Sequence, residues 1–232
     1  DDLIVADHFL TVADTLDGGD GTDTLTFSDS TGTSATNDLD HVTRIETIVL
    51  GNALTSITSV DNLVASGATL NLDASALTGS NTLTWNGAAE TDGQFSILGS
   101  GQADTITGGN QADTIVSGTG ADSLVAGNGN DSILSGDGND TITLGSTFTS
   151  ADTVNGGAGT DTLSIGVTVA AATDLAEVIG TVTVPGAPVA WPRASQRRRV
   201  RGGGRIWRTS SRAWSKPWIR ARVSWWPRTR RA

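Results

Sequence analysis

One nine-residue phrase recurs five times without a slip from Gly99 onward, and few folds accommodate such a beat. In register it reads GSGQADTIT, GGNQADTIV, SGTGADSLV, AGNGNDSIL and SGDGNDTIT. Each phrase carries one aspartate: Asp104, Asp113, Asp122, Asp131 and Asp140. Two residues later comes an aliphatic: Ile106, Ile115, Leu124, Ile133 and Ile142. The six residues rich in Gly, Asn and Asp supply the positive-φ positions of a tight turn. The other three favour strand and send one aliphatic side chain inward between two hydroxyl or aliphatic neighbours. Turn plus short strand reverses the chain, so two phrases make one coil. The expected fold is all-β, a parallel β-roll or β-solenoid.

In such a coil, loops two phrases apart stack on one edge. Asp104, Asp122 and Asp140 fall on one edge, Asp113 and Asp131 on the other. Strand spacing places stacked loops about 4.8 Å apart. Two bare carboxylates at that distance repel by roughly 1 kcal/mol in water and ~3–4 kcal/mol at an effective dielectric of 20. A hard divalent cation reverses the sign, and turn carbonyls complete a shell of about six to eight oxygens. The spacing asks for calcium. One buried aliphatic per phrase is small against the entropy of ordering a glycine-rich segment, so the fold is expected to depend on the metal. A flexible Gly/Asp/Asn linker, the plain rival, has no use for phase-locked aliphatics.

The phrase resembles the Gly-Gly-x-Gly-x-Asp-x-(large aliphatic)-x nonapeptide of the RTX (repeats-in-toxin, hemolysin-type calcium-binding) family. The resemblance implies calcium (Ca2+) held by Asp104, Asp113, Asp122, Asp131, Asp140 and Asp161. Their turns contribute Gly108, Gly118, Gly120, Gly127, Gly129, Gly136, Gly138, Asn128, Asn130, Asn139, Gly156 and Gly159. Asp23 of the isolated phrase GGDGTDTLT (18–26) joins them as a lone loop or a simple turn into a strand. Gln102 and Gln111 stand where the pattern has its third glycine. They must adopt positive φ at a cost of roughly 1–2 kcal/mol or distort their turns.

The expected organisation has four parts. Residues 1–98 form a Thr-rich β region with one isolated RTX-like loop, and 99–165 form the calcium roll. Residues 166–184 make a short segment of strand, helix around 172–179, and strand. Residues 185–232 are an Arg/Trp/Pro-rich tail, disordered or read out of frame. Within 1–98, HVTRIETIVL, ATLNL, NTLTW and FSIL alternate aliphatic with hydroxyl residues without the nine-residue beat. The segment TFTSAD (147–152) has no glycine and is expected not to make the calcium turn. The phrase GGAGTDTLS (156–164) is complete and is expected to stack over Asp140 across a three-residue insertion.

All 25 acidic residues precede position 185, where Arg44 is the only base; the other bases lie in the tail. Such a surface repels phosphates and argues against nucleic-acid binding by residues 1–184. The rival reading of the tail is a membrane- or nucleic-acid-binding segment. Cysteine and methionine are absent, so the chain reads as an excerpt or processed form without disulfides. No transmembrane stretch is visible. His8 and His41 are isolated, and neither a Gly-x-Ser-x-Gly elbow nor a His-Glu-x-x-His helix occurs, so the chain is not expected to be an enzyme.

The resemblance implies a calcium-binding structural module of a secreted or cell-surface bacterial protein, of adhesin or S-layer type. Type I secretion and folding outside the cell go with it. Surface polysaccharide or another surface protein would be the partner. The alternative is the non-catalytic C-terminal module of a secreted protease or lipase.

Overall fold

A computed structural model describes residues 1–6, 10, 14–28, 39–53, 55–145 and 148–165, with strand fragments at 178–179 and 182–183. The tail, His8 and most of the expected 172–179 helix lie outside the described residues. Val178–Ile179, at the end of that span, is a strand. Every regular element among the described residues is a β-strand, in parallel sheets, and the fold is a β-solenoid. No helix among them is long and apolar enough to cross a membrane.

Alternation of short strand and turn deals successive strands to opposite walls. One wall is a nine-stranded sheet. It begins with β1 (Leu3–Ala6), β3 (Thr24–Phe27), β5 (Thr47–Leu50), β7 (Thr69–Asp73) and β9 (Gln94–Leu98). It continues through β11 (Thr114–Val116), β13 (Ser132–Leu134), β15 (Thr153–Asn155) and β17 (Val178–Ile179). The facing wall has seven strands. These are β6 (Thr55–Thr58), β8 (Leu83–Asn86), β10 (Thr105–Thr107), β12 (Ser123–Val125), β14 (Thr141–Gly145), β16 (Asp161–Ile165) and β18 (Val182–Thr183). A small pair, β2 (Leu16–Asp17) with β4 (Val42–Thr43), lies beside the first coils.

The two walls meet through one inward column each. Leu25, Ile48, Leu72, Ile97, Ile115, Ile133 and Val154 are in register on the nine-stranded wall, all buried. Ile57, Trp85, Ile106, Leu124, Ile142 and Leu163 face them. The sheets run without a break from the Thr-rich strands into the nonapeptide strands, because β9 pairs both β7 and β11. Coil length separates the two stretches. The nonapeptide coils advance 18 residues, whereas the earlier coil joining Thr69 to Gln94 advances 25.

The longer coils fill their interior more heavily. Leu39, Val42, Ile45, Leu50, Leu63, Leu70, Leu77 and Leu83 add a second layer of buried side chains. Trp85 and Phe95 meet edge to face at 5.3 Å and 85°, both fully buried. This contact lies on the last coils before the nonapeptide run. Trp85→Ala would open a large cavity there and is expected to cost about 3–5 kcal/mol, measured by chemical denaturation in calcium.

Candidate metal centre

The residue before each nonapeptide strand sits at the rim where turn becomes wall. On the seven-stranded wall this rim position is held in successive coils by Leu83, Asp104, Asp122, Asp140 and Asp161. On the other wall it is held by Asp2, Asp23, Glu46, Leu70, Phe95, Asp113, Asp131 and Asp152. The aspartates from Asp104 to Asp161 in both series are at least 97 % buried.

Each carboxylate is tied to the coil before it. The Asp104 N–H donates to Asp122 Oδ1 (2.8 Å), Asp122 N–H to Asp140 Oδ1 (2.9 Å) and Asp140 N–H to Asp161 Oδ1 (3.1 Å). On the other rim Asp113 N–H donates to Asp131 Oδ1 (3.0 Å) and Asp131 N–H to Asp152 Oδ1 (2.8 Å). The first rungs fasten onto apolar coils: Leu83 N–H to Asp104 Oδ1 and Phe95 N–H to Asp113 Oδ1, both 2.8 Å.

The second carboxylate oxygen divides all of these aspartates but Asp131 into two kinds. Asp104 Oδ2 accepts the Ser100 N–H (2.7 Å), and the Ser100 hydroxyl donates to both of its oxygens at 2.9 Å. Asp113 Oδ2 accepts the Gly109 N–H (2.6 Å), and Asp152 Oδ2 the Thr149 N–H (2.7 Å). By contrast, Asp122, Asp140, Asp161 and Asp23 each keep Oδ2 buried without a hydrogen-bond partner. A buried anionic oxygen left bare costs several kcal/mol, a cost that a proton or a cation at these four would relieve.

Left-handed glycines open the turns of all four bare aspartates and also that of Asp131, which belongs to neither group. Gly118 and Gly120, Gly127 and Gly129, Gly136 and Gly138, and Gly157 and Gly159 all have positive φ, as do Gly19 and Gly21. A side chain is excluded at Gly136 and Gly138 on a second ground. A Cβ there would lie 1.8 Å from the Gly118 carbonyl oxygen and 1.5 Å from that of Gly120. Gln102 and Gln111 do not adopt positive φ; among the described residues the one non-glycine that does is Arg44 (φ 54°). Of the two outcomes open to these glutamines, the turn changes shape, and its aspartate is capped from within.

Expected site residues fall into place unevenly. The aspartates share two rims, and Asp161 takes its place over Asp140 across a 21-residue coil. Asn128, Asn130 and Asn139 are exposed, unlike the buried aspartates of the rims. Asn139 Oδ1 accepts the Thr160 N–H of the next coil (2.9 Å) and Asn128 Nδ2 donates to Asn110, so these bridge loops. Gly108 and Gly156 sit under their own carboxylates; a Cβ would lie 2.4 Å from Asp113 Oδ2 and 2.6 Å from Asp161 Oδ2.

Asp152 is the missed member. Its turn lacks glycine, as expected for a different turn, but the Thr149 cap still delivers the carboxylate to the rim. A second acidic group, Asp61, Glu90 and Asp92, brings oxygens within 4.8 Å of one another. Glu90 there accepts N–H bonds from Val64, Asp92 and Gly93, and Asp61 accepts from Thr91, so it clamps a turn. His41 is exposed in the turn before β4.

Burial and stacking act together on the acids. Burial, with the charges of Asp113 and Asp152 adding to it, pushes the Asp131 carboxyl up to about 7; burial, with Glu90 adding to it, pushes Asp113 up to about 6. Burial also raises Asp122, with Asp104 and Asp140 adding to it, and raises Asp161, with Asp140 adding to it.

The family model for the RTX calcium-binding nonapeptide repeat matches in four copies, at residues 13–29, 96–124, 116–146 and 149–164. The chain therefore carries RTX repeats, and these repeats bind calcium. No curated protein and no solved structure matches it. The residues present fit the ion. Asp122, Asp140 and Asp161 would hold it through Oδ2, with carbonyl oxygens of the glycine turns completing an all-oxygen shell. When bound, the ion would supply the positive charge that these buried carboxylates lack.

Two outcomes follow. The folded values of Asp113 and Asp131 lie above the ~3.9 of an unfolded aspartate, so their contribution to metal-free stability is fullest below about pH 4 and is lost as pH rises through about 6 to 7. In chelator the thermal midpoint should be higher at about pH 5 than at about pH 7.5; in calcium the order should reverse, because protons compete for the ligand oxygens. Second, Asp122→Ala should remove bound calcium in isothermal titration. Asp104→Ala should leave the calcium count intact and lower stability by about 1–3 kcal/mol, through the Ser100 donors it strands.

Proposed function

Taking the chain as a carrier of RTX calcium-binding repeats, we propose that it is a calcium-dependent structural module of a secreted or cell-surface bacterial protein. It is exported by a type I route and completes its fold outside the cell. The observation that carries this reading is the run of buried carboxylates, Asp122, Asp140 and Asp161, whose Oδ2 atoms have no partner within the protein. Without calcium those coils bring like charges together in a dry rim. The free energy then favours an open chain that can pass an export channel where calcium is scarce. Extracellular calcium, at roughly 0.1–1 mM, is enough for modules of this kind.

The apolar interior of residues 1–98 supports a division of labour in which those coils are a preformed platform and 99–165 the metal-dependent part. The outer face of the seven-stranded wall supports a surface polysaccharide as partner. Ser56, Thr84, Thr105, Ser123, Thr141 and Thr162 form one hydroxyl column on it. Thr58, Asn86, Thr107, Thr143 and Ser164 lie in the next column, interrupted by Val125. A flat, uncharged array of this kind suits a repeating hydroxylated chain.

Hydrogen exchange with and without calcium tests the reading. In chelator, β5 to β9 should stay protected while β12 to β16 exchange freely. Calcium at about 1 mM should protect both, and magnesium should substitute poorly because it prefers octahedral, water-retaining sites. Protection of β12 to β16 unchanged by excess chelator contradicts the proposal.

A further inference from the structure

Asparagine is followed by glycine at three places, Asn86–Gly87, Asn128–Gly129 and Asn155–Gly156. Resting on the calcium-dependent closing of the roll, we propose that Asn128 is a deamidation site that calcium guards, and that the reaction breaks the side-chain bridge between two stacked loops. The open chain reacts and the closed roll does not.

The chemistry needs only water. The Gly129 backbone nitrogen attacks the carbonyl carbon of the Asn128 side chain, and the bond to the amide nitrogen breaks. Ammonia leaves with the proton from Gly129, closing a five-membered imide. Water then opens the ring at either carbonyl, giving aspartate or an isoaspartate whose backbone runs through the former side chain. Glycine leaves the attacking nitrogen unhindered, because it carries no Cβ.

The closed roll holds this loop at every point where it would have to move. The Asn128 N–H donates to the Gly109 carbonyl oxygen (3.0 Å), and Asn128 Nδ2 donates to Asn110 Oδ1. Gly127 and Gly129 lie directly on the loop below. A Cβ on Gly127 would stand 2.0 Å from the Gly109 carbonyl oxygen, and one on Gly129 2.4 Å from that of Gln111. Asn128 is nevertheless exposed, so water reaches its amide once these attachments open.

The bridge to Asn110 makes the product matter. Aspartate at position 128 has no N–H to donate and sets a carboxylate against Asn110 Oδ1. Asn110 cannot turn its own amide to meet that charge without giving up the bond from Nδ2 to the Glu90 carbonyl oxygen (3.1 Å). Isoaspartate adds a backbone carbon to a loop that has no slack. The other two sites lack this consequence or this opening. Asn155 turns back on its own turn, where Oδ1 accepts the Gly157 N–H (3.0 Å). The attacking nitrogen at Asn86 belongs to Gly87, whose N–H donates to the Thr107 carbonyl oxygen (2.8 Å) beside the apolar coils.

Peptide mapping by mass spectrometry tests the proposal on the full chain, incubated at neutral pH in calcium or in chelator. Conversion at Asn128 should run at least about tenfold faster in chelator, the protection that closing the loop confers. Asn86 should stay slow in both. Asn128→Asp, the aspartate product, should have a lower thermal midpoint in calcium than the unsubstituted chain. An unchanged midpoint overturns the broken bridge. Equal rates at Asn128 in the two buffers overturn the guarding, where hydrogen exchange shows that calcium closes the roll. Equal rates together with equal exchange overturn the reading of the roll as well.

Discussion

Stacking one buried carboxylate on another, coil after coil at about the spacing of β-strands, is the constraint that orders this molecule. Parallel coils in strict register leave an aspartate no room to swing away from its counterpart in the next coil. Each carboxylate spends Oδ1 on a backbone N–H, which fixes its direction, and must then dispose of Oδ2. The chain does so in two ways. A turn that reaches back with its own N–H satisfies the oxygen internally, as at Asp104, Asp113 and Asp152. A turn opened by two left-handed glycines leaves that oxygen bare at Asp122, Asp140 and Asp161, where a cation could take it.

The Thr-rich coils show what the same backbone does without that problem. Leu70, Phe95 and Leu83 occupy the rim positions that aspartates hold in the roll, and their burial against Trp85 and the leucine layer stabilises the coil from within. The first two roll aspartates bond directly to the Leu83 and Phe95 amides. The metal-demanding coils therefore grow from an apolar surface already in register. A solenoid can exchange apolar filling for ionic filling at one position per coil while keeping its walls.

Much of this was legible in the residues. A phase-locked Asp and aliphatic at fixed offsets forces two edges and two inward columns, and the stacking of Asp161 over Asp140 follows once a three-residue insertion is allowed. Three features were hidden by physical causes. Coils in 1–98 vary in length because their turns carry insertions, so the alternation survives in each strand while the period that would mark a solenoid is lost. Asp152 was obscured because its turn uses a threonine cap where the pattern uses glycine. Glu46 was invisible because a three-residue turn with a left-handed arginine replaces a six-residue loop, and no pattern of spacings connects it to Asp23.

The direction of the rim bonds has a consequence of its own. Each rim aspartate from Asp104 to Asp161 accepts through Oδ1 from the coil before it, so each turn of the roll is pinned by the one laid after it, as a course of roof tiles is held by the course above. Damage is therefore felt upstream of where it occurs: loss of the Asp140 carboxylate exposes the amide of Asp122, and loss of Asp152 exposes that of Asp131.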